Sequence, residues 1–246
     1  MHLNDALFDF QSLAPGQCLV GSGFETPPQE ELHTHVVKLY GSPRCCSTAR
    51  IATVLYEKQI KYELYPLHAT DSDAQPYIVS YNRRLCADDG VILHGCRNVC
   101  QYIATRYPDR GTKLTSNSDD TSAMEMFEQA KLTEIQSFEP LAKNALYETI
   151  MQRQHGLLPS DAVRGYALQE LSNVIEGYES ILSHQKYLAG EEISLVDLYH
   201  LPYGEMLSNV GIDLLLTKGP NVNRWWKDIS SRPSWLAIRN GVPSKC

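Results

Sequence analysis

No apolar run in this 246-residue chain approaches the roughly 20 residues that a membrane-crossing helix needs, so no helical membrane span is expected. A basic stripe is missing too. The 22 Lys and Arg are scattered among 29 Asp and Glu, for a formal net charge of −7. That leaves no electrostatic footprint for nucleic acid or an anionic lipid surface. The opening residues, MHLNDALFDFQSLAPGQ, have no basic region ahead of their apolar positions and carry Asp5 and Asp9 among them. A secretory leader is not expected, and the cytoplasm is the expected location. Paired cysteine spacings are also absent: Cys18, Cys45, Cys46, Cys86, Cys96, Cys100 and Cys246 form neither a zinc pattern nor a disulfide scaffold. They read as reduced thiols. Cys96 and Cys100 stand four apart on an expected helix, without the His or second cysteine pair that would make a metal site. What remains, 43% hydrophobic and 21% charged, is ordinary globular composition, which points to small molecules or other proteins as partners.

The most informative segment is Val36 to Arg50, VVKLYGSPRCCSTAR. An apolar β-type run stops at Gly41, Ser42 and Pro43, passes two adjacent cysteines, and restarts as a helix at Ser47. A strand feeding a helix through a proline loop sets the loop side chains at a positive helix N-terminus, where a thiolate is stabilised. A protein cysteine and a bound thiol ligand are equally served by that geometry.

Residues 1–35 mix Pro, Gly, Gln and Glu and read as an extension. From Val36 the pattern runs strand (VVKLY), helix (Thr48 to Lys58), strand (Tyr62 to Pro66), a βαβ unit. A short strand near Leu85, an Asp88-Asp89-Gly90 turn, the strand VILH and a helix from about Arg97 to Tyr107 read as ββα, with an antiparallel hairpin. Pro108 to Ser122 is rich in turn formers, and within it 111–122 is the expected linker. Residues 123–246 carry helical periodicity and form an expected all-helical domain after a thioredoxin-like domain at 36–110. Ser194 and Asp197 in SLVD resemble a capping box, a folding element and not a reactive site. Trp225, Trp226 and Trp235 suit core packing.

Four stretches resemble the glutathione transferase family, phi class and its fungal relatives. KLYGSP with its following helix matches the first strand and active-site loop, and the Asp-Gly turn, apolar strand and Arg97 match the second half of the glutathione site. YLAGEEISLVDLYHLPY and WWKDISSRPSW match the helical-domain and last-helix signatures. The resemblance spans about 210 residues and implies a thioredoxin-like βαβ-ββα domain followed by an all-helical domain. It also implies glutathione as co-substrate, an apolar electrophile in a cleft against the helical domain, and a homodimer. The family lowers the glutathione thiol pKa by hydrogen bonding and a helix N-terminus.

The resemblance places Cys45 where phi-type enzymes carry a serine that donates to the thiolate. A cysteine is a weak donor and a good nucleophile, so the candidate group is Cys45, with Cys46 and Ser47 (and Thr48 after them) next in line. Leu85, after Arg84, takes the place of the family's cis-proline. A non-proline cis bond costs about 3 kcal/mol, so a trans, reshaped loop is expected. At the next helix the chain reads Gly95, Cys96, Arg97, where backbone N–H groups would hold the γ-glutamyl carboxylate. Arg97 reads equally as a structural arginine tying helix to sheet. His68, Arg83 and Arg84 are candidates for the glycyl carboxylate. Tyr147, Met151, His155 and Tyr203, with Met206 and Leu207, are candidate substrate lining.

The function these residues imply is addition of the glutathione thiolate to a small apolar electrophile or activated alkene. Conjugation and glutathione-dependent cis/trans isomerisation fit alike, as a specialised step in small-molecule metabolism. Two alternatives stand beside it: Cys45-based thiol transfer, and a weakly catalytic interaction module.

Overall fold

The computed structural model describes residues 36–66, 86–88, 91–116, 120–151 and 158–245. Strand β1 (Val37–Gly41) alternates as a half-buried strand should: Val37, Leu39 and Gly41 turn inward while Lys38 faces solvent. It lies parallel to β2 (Tyr62–Pro66), in the register Val37↔Tyr62 to Gly41↔Pro66, and antiparallel to β3 (Cys86–Asp88). β3 pairs antiparallel with β4 (Val91–Leu93), giving the sheet order β2-β1-β3-β4. The parallel β1-β2 pair needs a crossover, and helix α1 (Cys46–Glu57) supplies it. α2 (Cys96–Arg106) follows β4. The βαβ-ββα order read from the sequence is therefore the order found, with α1 starting two residues earlier than expected and α2 one residue earlier.

α1 is buried almost all round, including Thr48, Arg50 and Glu57, because it lies between the sheet and the helical part. Its approach to β1 is close enough to demand glycine at position 41: a Cβ there would lie 2.2 Å from Thr48 Oγ1. The far end of α1 is tied by Glu57, which accepts from Arg232 Nε (2.7 Å), Ser234 Oγ (2.5 Å) and Thr112 Oγ1 (2.6 Å). Burial opposes the Glu57 charge, but these hydrogen bonds outweigh it and hold the carboxyl below its ordinary value.

The helical part begins with α3 (Thr121–Thr133), inside the stretch expected as linker, because Asp120 accepts from Ala123 N–H and caps the helix there. A five-residue π turn, Glu134–Phe138, joins α3 to α4 (Glu139–Leu146), and a second, Tyr147–Met151, follows. Pro140 explains the first: it has no N–H to continue the ladder, and the helix widens ahead of it, Glu139 N–H bonding the Glu134 carbonyl.

Six helices follow among the described residues: α5 (Asp161–Leu182), α6 (Leu195–Tyr199), α7 (Leu201–Asn209), α8 (Leu214–Thr217), α9 (Pro220–Ser230) and α10 (Pro233–Leu236). The SLVD capping box is present. Buried Asp197 accepts from the N–H of Ser194 (2.8 Å) and Leu188 (3.0 Å), from Ser194 Oγ (2.8 Å) and from Trp225 Nε1 (2.9 Å). Trp225, Trp226 and Trp235 are core residues, as their pattern predicted. Beside them His200 is fully buried, its Nδ1–H donating to Val196 O (2.8 Å) and its Nε2 accepting from Tyr178 OH (3.0 Å). Burial pushes its pKa down to about 3, so the ring is neutral. No helix among the described residues is long and apolar enough to cross a membrane.

Candidate functional site

The loop between β1 and α1 is a tight turn, Ser42 to Cys45, closed by Cys45 N–H donating to Ser42 O (3.1 Å). Cys45 is the N-cap of α1, with extended backbone (φ −83°, ψ 133°), and its carbonyl accepts the first intrahelical bond from Ala49 N–H (2.9 Å). Its side chain makes no capping hydrogen bond, so the half-buried thiol is left at the positive end of a twelve-residue helix. The structure thus separates the three candidates that the sequence left together. Cys46 turns toward the helical part, its Sγ 3.7 Å from Met206 Sδ. Burial pushes the Cys46 thiol up to about 11 although Arg50 pulls it down. At pH 7 about 10⁻⁴ of it is thiolate, which makes it a poor nucleophile. Ser47 is half-buried in the first turn of α1.

Across from α1 stands α7. Cys46 and Arg50 are one turn apart on α1, Tyr203 and Met206 one turn apart on α7, and the two pairs meet: Cys46 with Met206, and Arg50 Cζ 5.5 Å from the centre of the Tyr203 ring. Burial, with the Glu139 carboxylate, pushes the Tyr203 phenol well up, so it stays protonated and able to donate. Leu207, expected as lining, is instead core at 1% exposure, because its position on α7 faces inward.

Below this pair lies a cluster of four charges that the sequence reading did not assemble. Glu134, fully buried, receives Arg50 Nη2 (3.0 Å), Arg97 Nε (2.8 Å) and Arg97 Nη2 (2.9 Å). Glu139 receives Arg50 Nη1 (2.8 Å) and also Arg97 Nη2. Arg50 Nε donates to Tyr199 O (2.9 Å). The π turn makes this possible: side chains five apart in an α-helix point about 140° away from each other, whereas a turn closed by an i to i+5 bond brings them to one face. Burial leaves the Glu134 carboxyl above its ordinary value although two guanidiniums pull it down; the four carboxylate–guanidinium contacts are nonetheless satisfied only with both acids ionised. The signals for the cluster were two acids, five apart, ahead of a mid-helix proline and an arginine on the apolar face of α1.

At the start of α2, Gly95 (φ 79°) is an exposed N-cap with no side-chain cap, Cys96 is buried, and Arg97 spends its guanidinium on Glu134 and Glu139. Arg97 therefore ties α2 to the helical part, the structural alternative weighed for it, not to the sheet. Tyr147 opens and Met151 closes the second π turn, Tyr147 being half-buried. His68, Arg83, Arg84, Leu85 and His155 lie outside the described residues. Among the described residues no peptide bond is cis, and no group of three or more His, Cys, Asp or Glu side chains is placed to hold a metal ion.

With this geometry in hand, two family models match: the glutathione S-transferase N-terminal domain over residues 39–111 and its C-terminal domain over 139–233. The chain is 37% identical over 207 residues to glutathione S-transferase hmp2 of Hypomyces subiculosus, covering 82% of this chain and 96% of that protein. Its structure is similar to that of glutathione transferase F7 from Populus trichocarpa, with a TM-score of 0.75 and 28% identity, covering 85% and 100% of the two chains. It is also similar to a glutathione S-transferase-I bound to lactoylglutathione, with a TM-score of 0.73 and 26% identity over 83% and 99% of the chains.

Proposed function

The chain belongs to the glutathione S-transferase family, phi-like in class, and from that premise we propose that it adds glutathione to a small apolar electrophile between α1 and α7, with Cys45 facing the glutathione sulfur. The observation that carries this reading is the Cys45 thiol, left uncapped at the N-terminus of α1 while Cys46 is turned away onto Met206. The positive end of α1 favours the thiolate of a bound glutathione as it would that of a cysteine. The thiolate then attacks an electron-poor carbon. On an activated alkene its electron pair forms the C–S bond and the alkene pair moves onto the activating group. Protonation completes the conjugate. Alternatively, rotation about the former double bond, now single, followed by return of the electron pair to re-form the alkene and expel the thiolate, gives back glutathione and yields the geometric isomer. Tyr203, protonated and stacked on Arg50, is the donor for charge that develops on the substrate. Gly95 and the α2 N-terminus supply backbone donors for the γ-glutamyl carboxylate.

A second reading has its own support: cysteine in place of serine favours a mixed disulfide between Cys45 and glutathione, hence thiol transfer. The free cysteines Cys45, Cys46, Cys96 and Cys100 suit a reducing compartment, in keeping with a cytoplasmic enzyme, and a two-fold dimer remains the assembly proposed. Glutathione-dependent turnover of an aryl halide and of an enone by wild type, Cys45→Ser and Cys45→Ala tests the reading. Conjugation retained in Cys45→Ser supports it, whereas loss of conjugation together with a glutathione adduct on wild-type Cys45 moves the assignment to thiol transfer.

A further inference from the structure

The turn that presents Cys45 is held from outside as well as from within. Ser42 O and Cys45 N–H close it; its central peptide, between Pro43 and Arg44, is the unit whose flip interconverts the two common turn types. That unit is pinned by a distant segment, because Val242 N–H donates to Pro43 O at 2.9 Å. A flip would carry the Arg44 N–H, the last backbone donor before the α1 cap, to the opposite side of the turn.

Val242 belongs to Gly241–Lys245, whose course is set by its own residues. Gly241 (φ +129°) redirects the chain into the turn's reach, with a Cβ built there 4.0 Å from Pro43 O. Pro243 confines Val242 to extended backbone, and the Val242 side chain is buried at 4% exposure. The segment then runs along the outer edge of β2, the last strand of the sheet. Ser244 O accepts Leu64 N–H (2.8 Å), Lys245 pairs antiparallel with Glu63, and Lys245 Nζ lies 2.7 Å from the Glu63 carboxylate. One short segment is thus clamped to a sheet strand at one end and to the cysteine turn at the other.

We propose that Gly241–Lys245 is a strap that sets the orientation in which the Ser42–Cys45 turn presents Cys45 to glutathione, with Val242 as a positioning residue acting through the Pro43 carbonyl. The proposal rests on the reading of Cys45 as the residue facing the glutathione sulfur.

Val242→Pro deletes the N–H donor, and Val242→Ala keeps it while removing the side chain. Two readouts are taken on the full chain: kcat and KM for glutathione, and the rate of Cys45 alkylation by iodoacetamide across pH, read by peptide mass spectrometry so that Cys46 is scored apart. Loss of one hydrogen bond of ordinary strength predicts that Val242→Pro changes both kcat/KM and the Cys45 alkylation rate by about three- to tenfold, while Val242→Ala stays within about twofold. Lys245→Glu sets like charges against Glu63 and lifts the other end of the strap. It should move Cys45 alkylation in the same direction as Val242→Pro, less so in 1 M salt, and it decides the matter if Val242→Pro does not fold. Folded variants with wild-type kinetics and alkylation, or variants in which only the melting temperature falls, overturn the strap. If wild type shows no glutathione-dependent turnover, the functional reading fails, and Cys45 alkylation alone still decides whether the strap positions the turn.

Discussion

Replacing Glu134 by Gln tests how α1, α2 and the helical part are joined. The carboxylate is fully buried and holds Arg50, whose side chain is 1% exposed, and Arg97, 21% exposed. With it ionised the four-residue cluster is neutral; with Gln it carries +1, and the new amide must direct its NH₂ donor at a guanidinium that has none to accept. Removing one partner of a buried ion pair costs about 3–5 kcal/mol. Glu139 still faces both arginines and Arg97 keeps some contact with water, so the low end applies, about 3 kcal/mol. For a body of this size that corresponds to a melting point lowered by about 6–12 °C. Urea unfolding should show a lower midpoint at unchanged slope. A loss under about 1 kcal/mol would refute the idea that this carboxylate is the joint, and would place the stabilisation in apolar packing instead. Because Arg50 also lies over the Tyr203 ring, the proposed donor, the folded variant should also lose kcat/KM.

Asp197→Ala leaves two buried N–H groups, the Ser194 hydroxyl and the Trp225 indole without their acceptor, and is expected to cost about 3 kcal/mol or more by thermal unfolding; a cost below about 1 kcal/mol would show that water replaces the carboxylate. His200 has a folded pKa of about 3 against an ordinary 6.5, so its contribution is complete above pH 6.5 and declines as pH falls toward 3, by about 1.4 kcal/mol per pH unit. His200→Gln should flatten that slope by close to one proton between pH 6 and 5; an unaltered slope contradicts a buried neutral ring. Glu57 is held below its ordinary 4.5, so it stabilises fully above pH 4.5 and progressively less as pH drops through its folded value. Glu57→Gln should be less stable than wild type at pH 7, the difference shrinking in acid, as urea titrations at pH 7 and 3.5 can check. Cys46→Ala should leave glutathione turnover within about twofold, since a thiol at about 11 supplies almost no thiolate, and a tenfold loss would return Cys46 to the site.

The sheet was legible because its signals are local. VVKLY alternates as a strand, Asp-Gly marks the hairpin between β3 and β4, and the run after Ser47 has one helical period. The capping box and the tryptophan core were legible for the same reason. The charge cluster was not, because it depends on a change of helix period ahead of Pro140 that sets Glu134 and Glu139 on one face, and on partners from two helices far away in the chain. Nor does a pair of adjacent cysteines reveal which one turns onto a neighbouring helix. Cys46 does, against Met206, on a helix that spacing alone does not bring to α1.

The most direct test is the absorbance of the glutathione thiolate near 240 nm, titrated with pH on the Cys45→Ser variant, where no Cys45 thiol contributes and a hydroxyl stands at the α1 N-terminus. A thiolate band with a midpoint at least about one pH unit below the ordinary thiol value near 8.5 is the predicted result. Bound glutathione titrating at its free value, or no band at all, would contradict activation of the thiol at the start of α1.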